Sequence, residues 1–183
     1  MKYLFSAALF SLLLLAACNS DKAKDKISTD TDKETTEKAT EEADKVKEAA
    51  ANIEKIKEQL TNLSPLTVDQ LKAMLPEKLL GASLSNAEVE NSSGANIATA
   101  DYELSDTNSI TLSIIDCAGP GGVGIYNMQF LSMVNAQQET DEEYTKATTI
   151  NGQQGFEYCI KEDNDCTIAW FAGGRYLVSL EGI

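Results

Sequence analysis

Closely spaced turn signals near the C-terminus constrain the fold of this chain more than any other sequence feature. Asn151-Gly152 and Gly173-Gly174 are dipeptides that favour two-residue β-hairpin turns, and the polar run 162–165 lies between them. The intervening segments are rich in β-branched and aromatic residues, which is typical of strands. The sequence therefore predicts four antiparallel strands near 144–150, 153–161, 166–172 and 175–181.

The register of these hairpins decides which side chains share a face, because successive strand residues point to opposite faces. The turns predict three facing pairs: Ile150 with Gln153, Cys159 with Cys166, and Ala172 with Arg175. One face is then a core face that carries Ala147, Phe156, Tyr158, Ile160, Ala169, Phe171, Tyr176, Val178 and Leu180. The other face carries a candidate binding patch made of Tyr144, Ile168, Trp170 and Leu177, together with Ile150 and several charged side chains.

This candidate patch is too apolar to be left in water, and two interpretations remain open. In the first, a helix from residues 36–75 covers it, and Trp170 belongs to a second core layer. In the second, the patch binds a protein or peptide, with Trp170 as the hot spot. In both, Trp170 lies opposite Gly155 and covers the bare backbone of that glycine.

The central part of the chain adds one more hairpin and two helices. Alternating residues predict strands at 98–104 and 109–117, and apolar residues at mostly helical spacing predict a helix at about 123–137. Thr67 and Gln70 form a capping box for a helix that ends near Met74, with Leu66 and Leu71 as its hydrophobic staple. The fold class is therefore α+β: an antiparallel sheet with helices packed on it. The order of elements resembles the three-layer α/β/α sandwich of the PsbP/Mog1-like group, as an analogy of fold alone.

The N-terminal segment combines Lys2, an apolar run from 4 to 15, and the tetrapeptide Leu15-Ala16-Ala17-Cys18. This tetrapeptide resembles the lipobox of bacterial lipoproteins. The resemblance implies that residues 1–17 are a signal peptide, that Cys18 is lipidated with fatty acyl chains such as palmitate, and that the mature chain is anchored to a membrane of the cell envelope. Asn19 is not the usual aspartate that retains lipoproteins at the inner membrane, which favours the outer membrane, facing the periplasm or the cell surface.

Composition divides the remaining chain into three segments. Residues 18–35 are almost wholly polar and predict a lipidated, disordered tether. Residues 36–63 predict an amphipathic helix, and 64–183 a small α+β domain. The helix has an apolar seam at heptad spacing, made of Ala39, Val46, Ala49, Ile53, Ile56, Leu60 and Leu63. This seam could form an oligomer through residues 39–63, dock on the chain's own sheet, or belong to a solvated stalk.

Charge favours some partners over others. The formal net charge is −14, and residues 64–183 contain 17 of the 29 acidic residues but only 5 of the 15 basic ones. An acidic domain repels nucleic acid and anionic lipid, and it favours a basic protein or peptide, or calcium.

The chain offers little catalytic chemistry. It contains no histidine, which excludes a serine or cysteine hydrolase with a histidine base, and its cysteines lack the spacing of zinc ligands. Residues 119–124 match G-x-G-x-x-G by letter, but Pro120 and the antiparallel context argue for a tight strand-to-helix connection. We expect no cofactor and no metal. The acidic groups at 139–143 and 162–165 are expected to be solvated loop acids.

The cysteines that remain after lipidation predict one disulfide, because Cys159 and Cys166 face each other in an exported hairpin. Cys117 is then either a buried free thiol or an alternative partner of Cys159. Together these features predict an envelope-anchored lipoprotein with a non-catalytic domain that binds a protein or peptide. The alternatives are a structural lipoprotein that self-associates through its helix and, less favoured, an enzyme that uses carboxylates or the glycine loop.

Overall fold

Antiparallel strand pairing organises the part of the chain that the computed structural model describes, residues 31–182, with side chains from 44 onward except 45 and 46. One nine-stranded sheet has the order β1-β2-β3-β4-β9-β8-β7-β6-β5. The strands are β1 (Lys78–Leu79), β2 (Ala82–Ser92), β3 (Ala95–Glu103), β4 (Ser109–Asp116), β5 (Gln138–Glu139), β6 (Glu143–Ile150), β7 (Gln153–Ile160), β8 (Asp165–Ala172) and β9 (Tyr176–Gly182).

The sheet consists of two runs of hairpins that meet where β4 pairs with β9. Turn chemistry explains the hairpins: Asn151 and Gly152 have φ values of 51° and 78°, and Ser93 and Gly94 have φ values of 55° and 80°. Two successive positive φ angles match the right-handed twist of the flanking strands, which is why such dipeptides join them. The helices between β4 and β5 separate the two runs.

The helical segments are α1 (Thr31–Asn62), α2 (Val68–Lys72), α3 (Gly119–Ile125), a π-helical segment (Tyr126–Leu131) and α4 (Ser132–Val134). The predicted capping box of α2 is confirmed: the Thr67 hydroxyl accepts from the Gln70 N–H, and the Gln70 side chain accepts from the Thr67 N–H. Leu66 and Leu71 belong to one apolar cluster, as the staple requires. The helix predicted at 123–137 begins earlier, at Gly119, because the glycine run itself is helical.

Apolar clusters lie on both faces of the sheet. On one face, which we call the α3 face, Leu60 of α1 and the buried residues Ile125, Tyr126 and Phe130 of the α3 and π segments pack on the sheet. Three aromatic rings form its centre, with centroids 4.7 Å apart for Tyr126 and Phe171. On the opposite face, Leu71 of α2 packs on β2, β3 and β4, and the core there includes Ala98, Ala100, Tyr102, Leu112 and Ile114. The chain therefore has the α+β character that the sequence predicts.

Most of the predicted strands are confirmed, but three are missing from the prediction. The sequence indicated no strand before residue 98, whereas β2 is the longest strand of the sheet at 11 residues, and β1 and β5 are two-residue strands. The predicted signal peptide at 1–17, Cys18, and residues 18–30 of the predicted tether lie outside the described residues. Helix α1 begins at Thr31, within the segment 18–35 that was predicted to be disordered.

The predicted register of β9 is wrong. Ala172 pairs with Tyr176 and not with Arg175, so the connection has three residues, and the Arg175 N–H donates to the Ala172 carbonyl. A shift of one residue exchanges the two faces of a strand. Tyr176, Val178 and Leu180 therefore lie on the face of Trp170, and Leu177 lies on the α3 face.

Candidate functional site

The strongest candidate site is the open part of the sheet opposite α3, formed by β6, β7 and β8. Tyr144, Ile150, Ile168 and Trp170 lie on this face, and all four are half-buried. The register places Trp170 between Gly155 and Val178, and Ile168 between Glu157 and Leu180. We call Tyr144, Ile150, Ile168 and Trp170 the Trp170 surface.

The Trp170 surface is not part of either core. Neither apolar cluster includes Trp170 or Ile168, although Val178 and Leu180 beside them pack against the second cluster. Helix α2 lies on the same face of the sheet as Trp170 but packs on β2 and β3, towards the other end of the strand order. Among the described residues, therefore, no helix covers the Trp170 surface, as the first of the two interpretations from the sequence required.

The lack of a side chain at Gly155 allows the neighbouring strand that carries Trp170 to approach closely. A Cβ atom at Gly155 would lie 2.4 Å from the Ala169 carbonyl oxygen, 3.0 Å from Cδ1 of Ile150 and 3.1 Å from Cβ of Trp170. The first distance is far inside van der Waals contact with rigid backbone, so a larger residue requires the strands to shift. The predicted pairing of Trp170 with Gly155 is confirmed.

A polar network borders the surface on β6 and β7. The Tyr144 hydroxyl donates to Glu157, and Nζ of Lys146 lies 3.0 Å from the Glu157 carboxylate and 5.1 Å from the centroid of the Tyr144 ring. The hydrogen bonds from Tyr144 and Lys146 hold the pKa of Glu157 below its ordinary value, and the same carboxylate raises the pKa of Tyr144. The apolar surface is thus bordered by an ionised, hydrogen-bonded group, which is the usual composition of an interface rim.

Leu177, which the sequence assigned to the binding patch, lies elsewhere. It pairs with Phe171 and Ile115, is buried, and belongs to the cluster on the α3 face. The structure therefore brings together Tyr144, Ile168 and Trp170, but not Leu177. Val178 and Leu180 take its place beside Trp170 and Ile168.

The predicted pair Cys159 and Cys166 is at disulfide distance, with Sγ atoms 2.10 Å apart and Cα atoms 4.1 Å apart. The two cysteines face each other across β7 and β8, on the same face as Trp170. Cys159 is buried, whereas Cys166 is exposed, and Sγ of Cys159 lies 3.0 Å from the hydroxyl of Tyr144. The disulfide therefore joins the two strands that carry most of the Trp170 surface.

Cys117, for which the sequence left two states open, is a buried free thiol. Burial raises the pKa of Cys117 to about 12. A thiol is a nucleophile or metal ligand only as its thiolate, so this side chain acts as a small apolar group in the core.

The glycine run 119–124 is a packing device. A Cβ atom at Gly121 would lie 2.5 Å from the carbonyl carbon and oxygen of Gly94, and one at Gly122 would lie 2.2 Å from the carbonyl carbon of Cys117. These glycines let α3 approach the β2–β3 turn and the end of β4 closely. Residues 119–124 thus begin α3 a short distance after β4, in agreement with the predicted strand-to-helix connection.

The structure also contains an ion pair that the sequence analysis missed. Asp116 is fully buried and accepts from Nε and Nη2 of Arg175 at 2.8 and 2.9 Å, from the Leu66 N–H at 2.6 Å and from the Ala118 N–H at 3.2 Å. Arg175 also donates to the Ser64 carbonyl. Burial alone would raise the pKa of Asp116, but these hydrogen bonds outweigh it and hold that pKa below its ordinary value. In the sequence, the available signal for this ion pair was the only arginine of the chain, which directly follows a glycine pair.

Among the side chains that the structure describes, no group of three or more Cys, Asp or Glu residues is arranged to hold a metal ion. The prediction that the acids at 139–143 are solvated loop residues is wrong in part: Glu139 ends β5 and pairs with Lys161, and Glu143 begins β6, is half-buried and accepts from the Tyr158 hydroxyl. Within the same part of the chain, no helix has both the length and the apolar character that crossing a membrane requires.

Comparison of the chain with protein-family models, with curated proteins and with solved structures finds no match.

Proposed function

We propose that this chain is an envelope-anchored lipoprotein whose α+β domain is a non-catalytic binding module for a basic protein or peptide. The observation that carries the proposal is the Trp170 surface: a half-buried tryptophan, two isoleucines and a tyrosine on an open sheet face, next to a charged rim. Tryptophan and tyrosine are the residue types that most often dominate binding energy at interfaces.

Charge supports the choice of a basic partner. Glu157 borders the surface, and Glu162 and Asp163 lie in the turn that follows β7. Lys146 is the basic side chain at this rim, and Glu157 already pairs with it. A partner with an apolar anchor and flanking lysines or arginines would complement this surface, and the acidic domain would accelerate its association.

The alternative of self-association through α1 has less support. Ile56 and Leu60, two large apolar residues of the described seam, pack against the core on the α3 face. A coiled coil through the same helix would have to remove them from that core. In the upstream part of the seam, Ala49 is small and Ile53 is already half-buried, so we propose docking of the end of α1 and a spacer role for the rest of 18–55. With α1 and α3 on one face and α2 on the other, we also propose a three-layer arrangement.

The tryptophan itself provides the test of the proposal, because Trp170 is the only one in the chain. The purified full chain is titrated with synthetic peptides of equal length that carry one leucine within lysines, within serines or within glutamates, while indole emission is recorded. The proposal predicts a saturable blue shift with the lysine peptide, as water leaves the indole. Ile168→Lys is the matched variant, since it places a like charge beside Trp170 and leaves the tryptophan in place.

Two results would contradict the binding proposal: emission that stays unchanged with all three peptides, or an Ile168→Lys variant that responds as the unsubstituted chain does. If the serine peptide gave a shift of equal size, the Trp170 surface would still be a binding surface, but the proposed preference for basic partners would be wrong.

The anchor has a separate test. Cells that express the chain are grown with an alkyne analogue of palmitate, and incorporation into the protein is measured by click labelling. The proposal predicts label in the unsubstituted chain and none in Cys18→Ser, with Cys117→Ser as the control that keeps its label. Label that persists in Cys18→Ser would remove the lipoprotein assignment and leave the binding proposal unaffected.

A further inference from the structure

The outer edge of β2 lies at the opposite end of the sheet from the Trp170 surface. β1 pairs only with the first two residues of β2, through the pairs Leu79–Ala82 and Lys78–Ser83. Over residues 85–92, therefore, β2 has a strand neighbour on one side alone within the described part of the chain. Such an edge presents unpaired backbone N–H and C=O groups that can accept a further strand.

The β2–β3 turn determines which backbone groups face outwards. Ser93 and Gly94 both have positive φ, and Ser92 pairs with Ala95 across the turn. In a hairpin with such a two-residue turn, the pair that flanks the turn exchanges both hydrogen bonds, and every second residue does the same. The residues between them, Val89 and Asn91, consequently direct their N–H and C=O groups away from β3.

Carboxylates line this edge. Glu88 and Glu90 are exposed, and they lie on the α3 face because Glu90 pairs with Ile97, which packs against the core of that face. Neither β2 nor β3 contains a lysine or arginine. A strand added here would therefore place every second side chain beside a glutamate that has no basic neighbour on either strand.

A cavity lies on the same face, at the end of this edge. It has a volume of about 300 Å³, and its apolar walls are Ile97, Pro120, Ile125 and Met128. The Met128 side chain is 78% exposed although it is large and apolar. The π-helical segment that carries Met128 departs from regular α-helix, a feature found often at functional sites. Ser92 also lines the cavity, so the cavity lies in line with the side chains of Glu88 and Glu90 along β2.

We propose that the β2 edge binds an extended basic peptide as a tenth strand of the sheet. One apolar side chain of the peptide enters the cavity next to Ser92, and basic side chains two and four residues away lie beside Glu90 and Glu88. Backbone hydrogen bonds to Val89 and Asn91 supply affinity, and the cavity and the carboxylates select the sequence. This inference is independent of the binding proposed for the Trp170 surface, because it uses other strands and another face.

A second copy of this chain is a poor occupant of the same edge. Pairing two β2 edges would bring Glu88 and Glu90 of one copy beside those of the other, and like charges across neighbouring strands destabilise pairing. A basic peptide turns the same carboxylates into attractive contacts.

The test uses fluorescence anisotropy with the purified full chain at physiological ionic strength. The probe is a labelled synthetic peptide with leucine, lysine and lysine at alternate positions and threonine between them, made in both sequence orders because a strand can add parallel or antiparallel. A version that is N-methylated at alternate residues has the same side chains but cannot complete the ladder. Saturable binding is expected, with Kd raised about tenfold or more by N-methylation.

Variants of the protein separate the contributions to peptide binding. Gly124→Leu places an apolar side chain at the cavity, at a position where a Cβ atom meets nothing within 4 Å, and it is expected to raise Kd about tenfold. Glu88→Lys/Glu90→Lys is expected to abolish binding of the basic peptide and to allow binding of its glutamate counterpart. Because the proposed function predicts that the same peptide also binds the Trp170 surface, each of these variants is made in the Ile168→Lys background, in which the β2 edge is expected to retain saturable binding. Thermal unfolding of each variant reports whether it is folded.

Three outcomes would overturn the inference: no saturable binding, binding by folded variants that neither N-methylation nor Gly124→Leu weakens, or binding lost in folded Ile168→Lys. The second would reveal charge attraction without strand addition. The last would place the basic peptide on the Trp170 surface, so failure here is distinguishable from failure of the proposed function.

Discussion

Removal of the Asp116 carboxylate is the perturbation whose effect the structure defines best. Asp116 accepts hydrogen bonds from the Leu66 and Ala118 backbone and from two nitrogens of Arg175. It therefore ties three segments together: the connection between α1 and α2, the end of β4, and the turn before β9. In Asp116→Ala all these donors lose their acceptor at once.

The exposure of those donors determines how much stability Asp116→Ala loses. Removing one partner of a buried ion pair costs about 3–5 kcal/mol when the other charge stays buried. The Arg175 side chain is 19% exposed and also donates to the Ser64 carbonyl, so it can recover some hydration, whereas the Leu66 and Ala118 N–H groups remain in a buried setting. We expect the lower end of that range, about 3 kcal/mol, which corresponds to a Tm lower by roughly 10 °C for a domain of this size.

Urea and thermal unfolding followed by circular dichroism measure this loss. Asp106→Ala is the matched control, because it removes the same group from an exposed turn. The reasoning is refuted if Asp116→Ala lies within about 1 kcal/mol of the unsubstituted protein, which is the typical value of a surface pair. Arg175→Ala should be at least as damaging, since it leaves the fully buried carboxylate without its charge partner.

Three further predictions concern pH, the free thiol and the glycine run. The pKa of Asp116 is lowered in the folded protein, so its stabilisation is complete above the unfolded pKa of about 3.9 and is lost as pH falls through the folded pKa. Between pH 6 and 2, the urea midpoint should therefore fall less in Asp116→Asn than in the unsubstituted protein. Cys117 should react with iodoacetamide only at the rate of global unfolding, measured by mass spectrometry at pH 8, and rapid native labelling would contradict its burial. Gly121→Ala should lower Tm sharply because its Cβ meets rigid backbone, whereas Gly124→Ala should leave Tm unchanged or raise it; equal effects would rule out the packing role.

The fold was predictable wherever local turn chemistry decided it. Asn151-Gly152 set the register of β6 and β7, and the polar turn after β7 placed Cys159 opposite Cys166. In both hairpins the connecting residues contain the information on pairing. The same holds for α2, because a capping box is a contact between residues three apart.

The register of β9 depended instead on a contact that the local sequence does not reveal. Gly173-Gly174 alone favours a two-residue turn, but Arg175 joins the turn because its side chain binds Asp116, 59 residues away. The Arg175 carbonyl also accepts from the Cys117 N–H. These tertiary contacts outweigh the preference of the dipeptide, and they move Leu177 from the predicted patch to the α3 face.

The longest strand was missed for a different reason. β2 contains Asn, Glu and Ser at many positions, because it is near an edge and exposes alternate residues to solvent. Its composition is therefore that of a loop, and the Ser93-Gly94 turn was the available signal. The candidate site was predictable to the same extent as the fold. Tyr144, Ile168 and Trp170 come from hairpins whose turns the sequence defines. The cavity beside β2 was not predictable from local sequence, because a helix, a turn and a strand form it together.

Site-specific photo-crosslinking in intact cells tests whether the Trp170 surface binds a partner. A photoreactive amino acid replaces Trp170 in one strain and Leu104, an exposed turn residue far from the Trp170 surface, in another. We expect a discrete adduct with a separate basic protein or peptide from position 170, absent from position 104 and lost when Ile168→Lys is added. Products within the chain alone, or equal adducts from both positions, would contradict a binding role for the Trp170 surface.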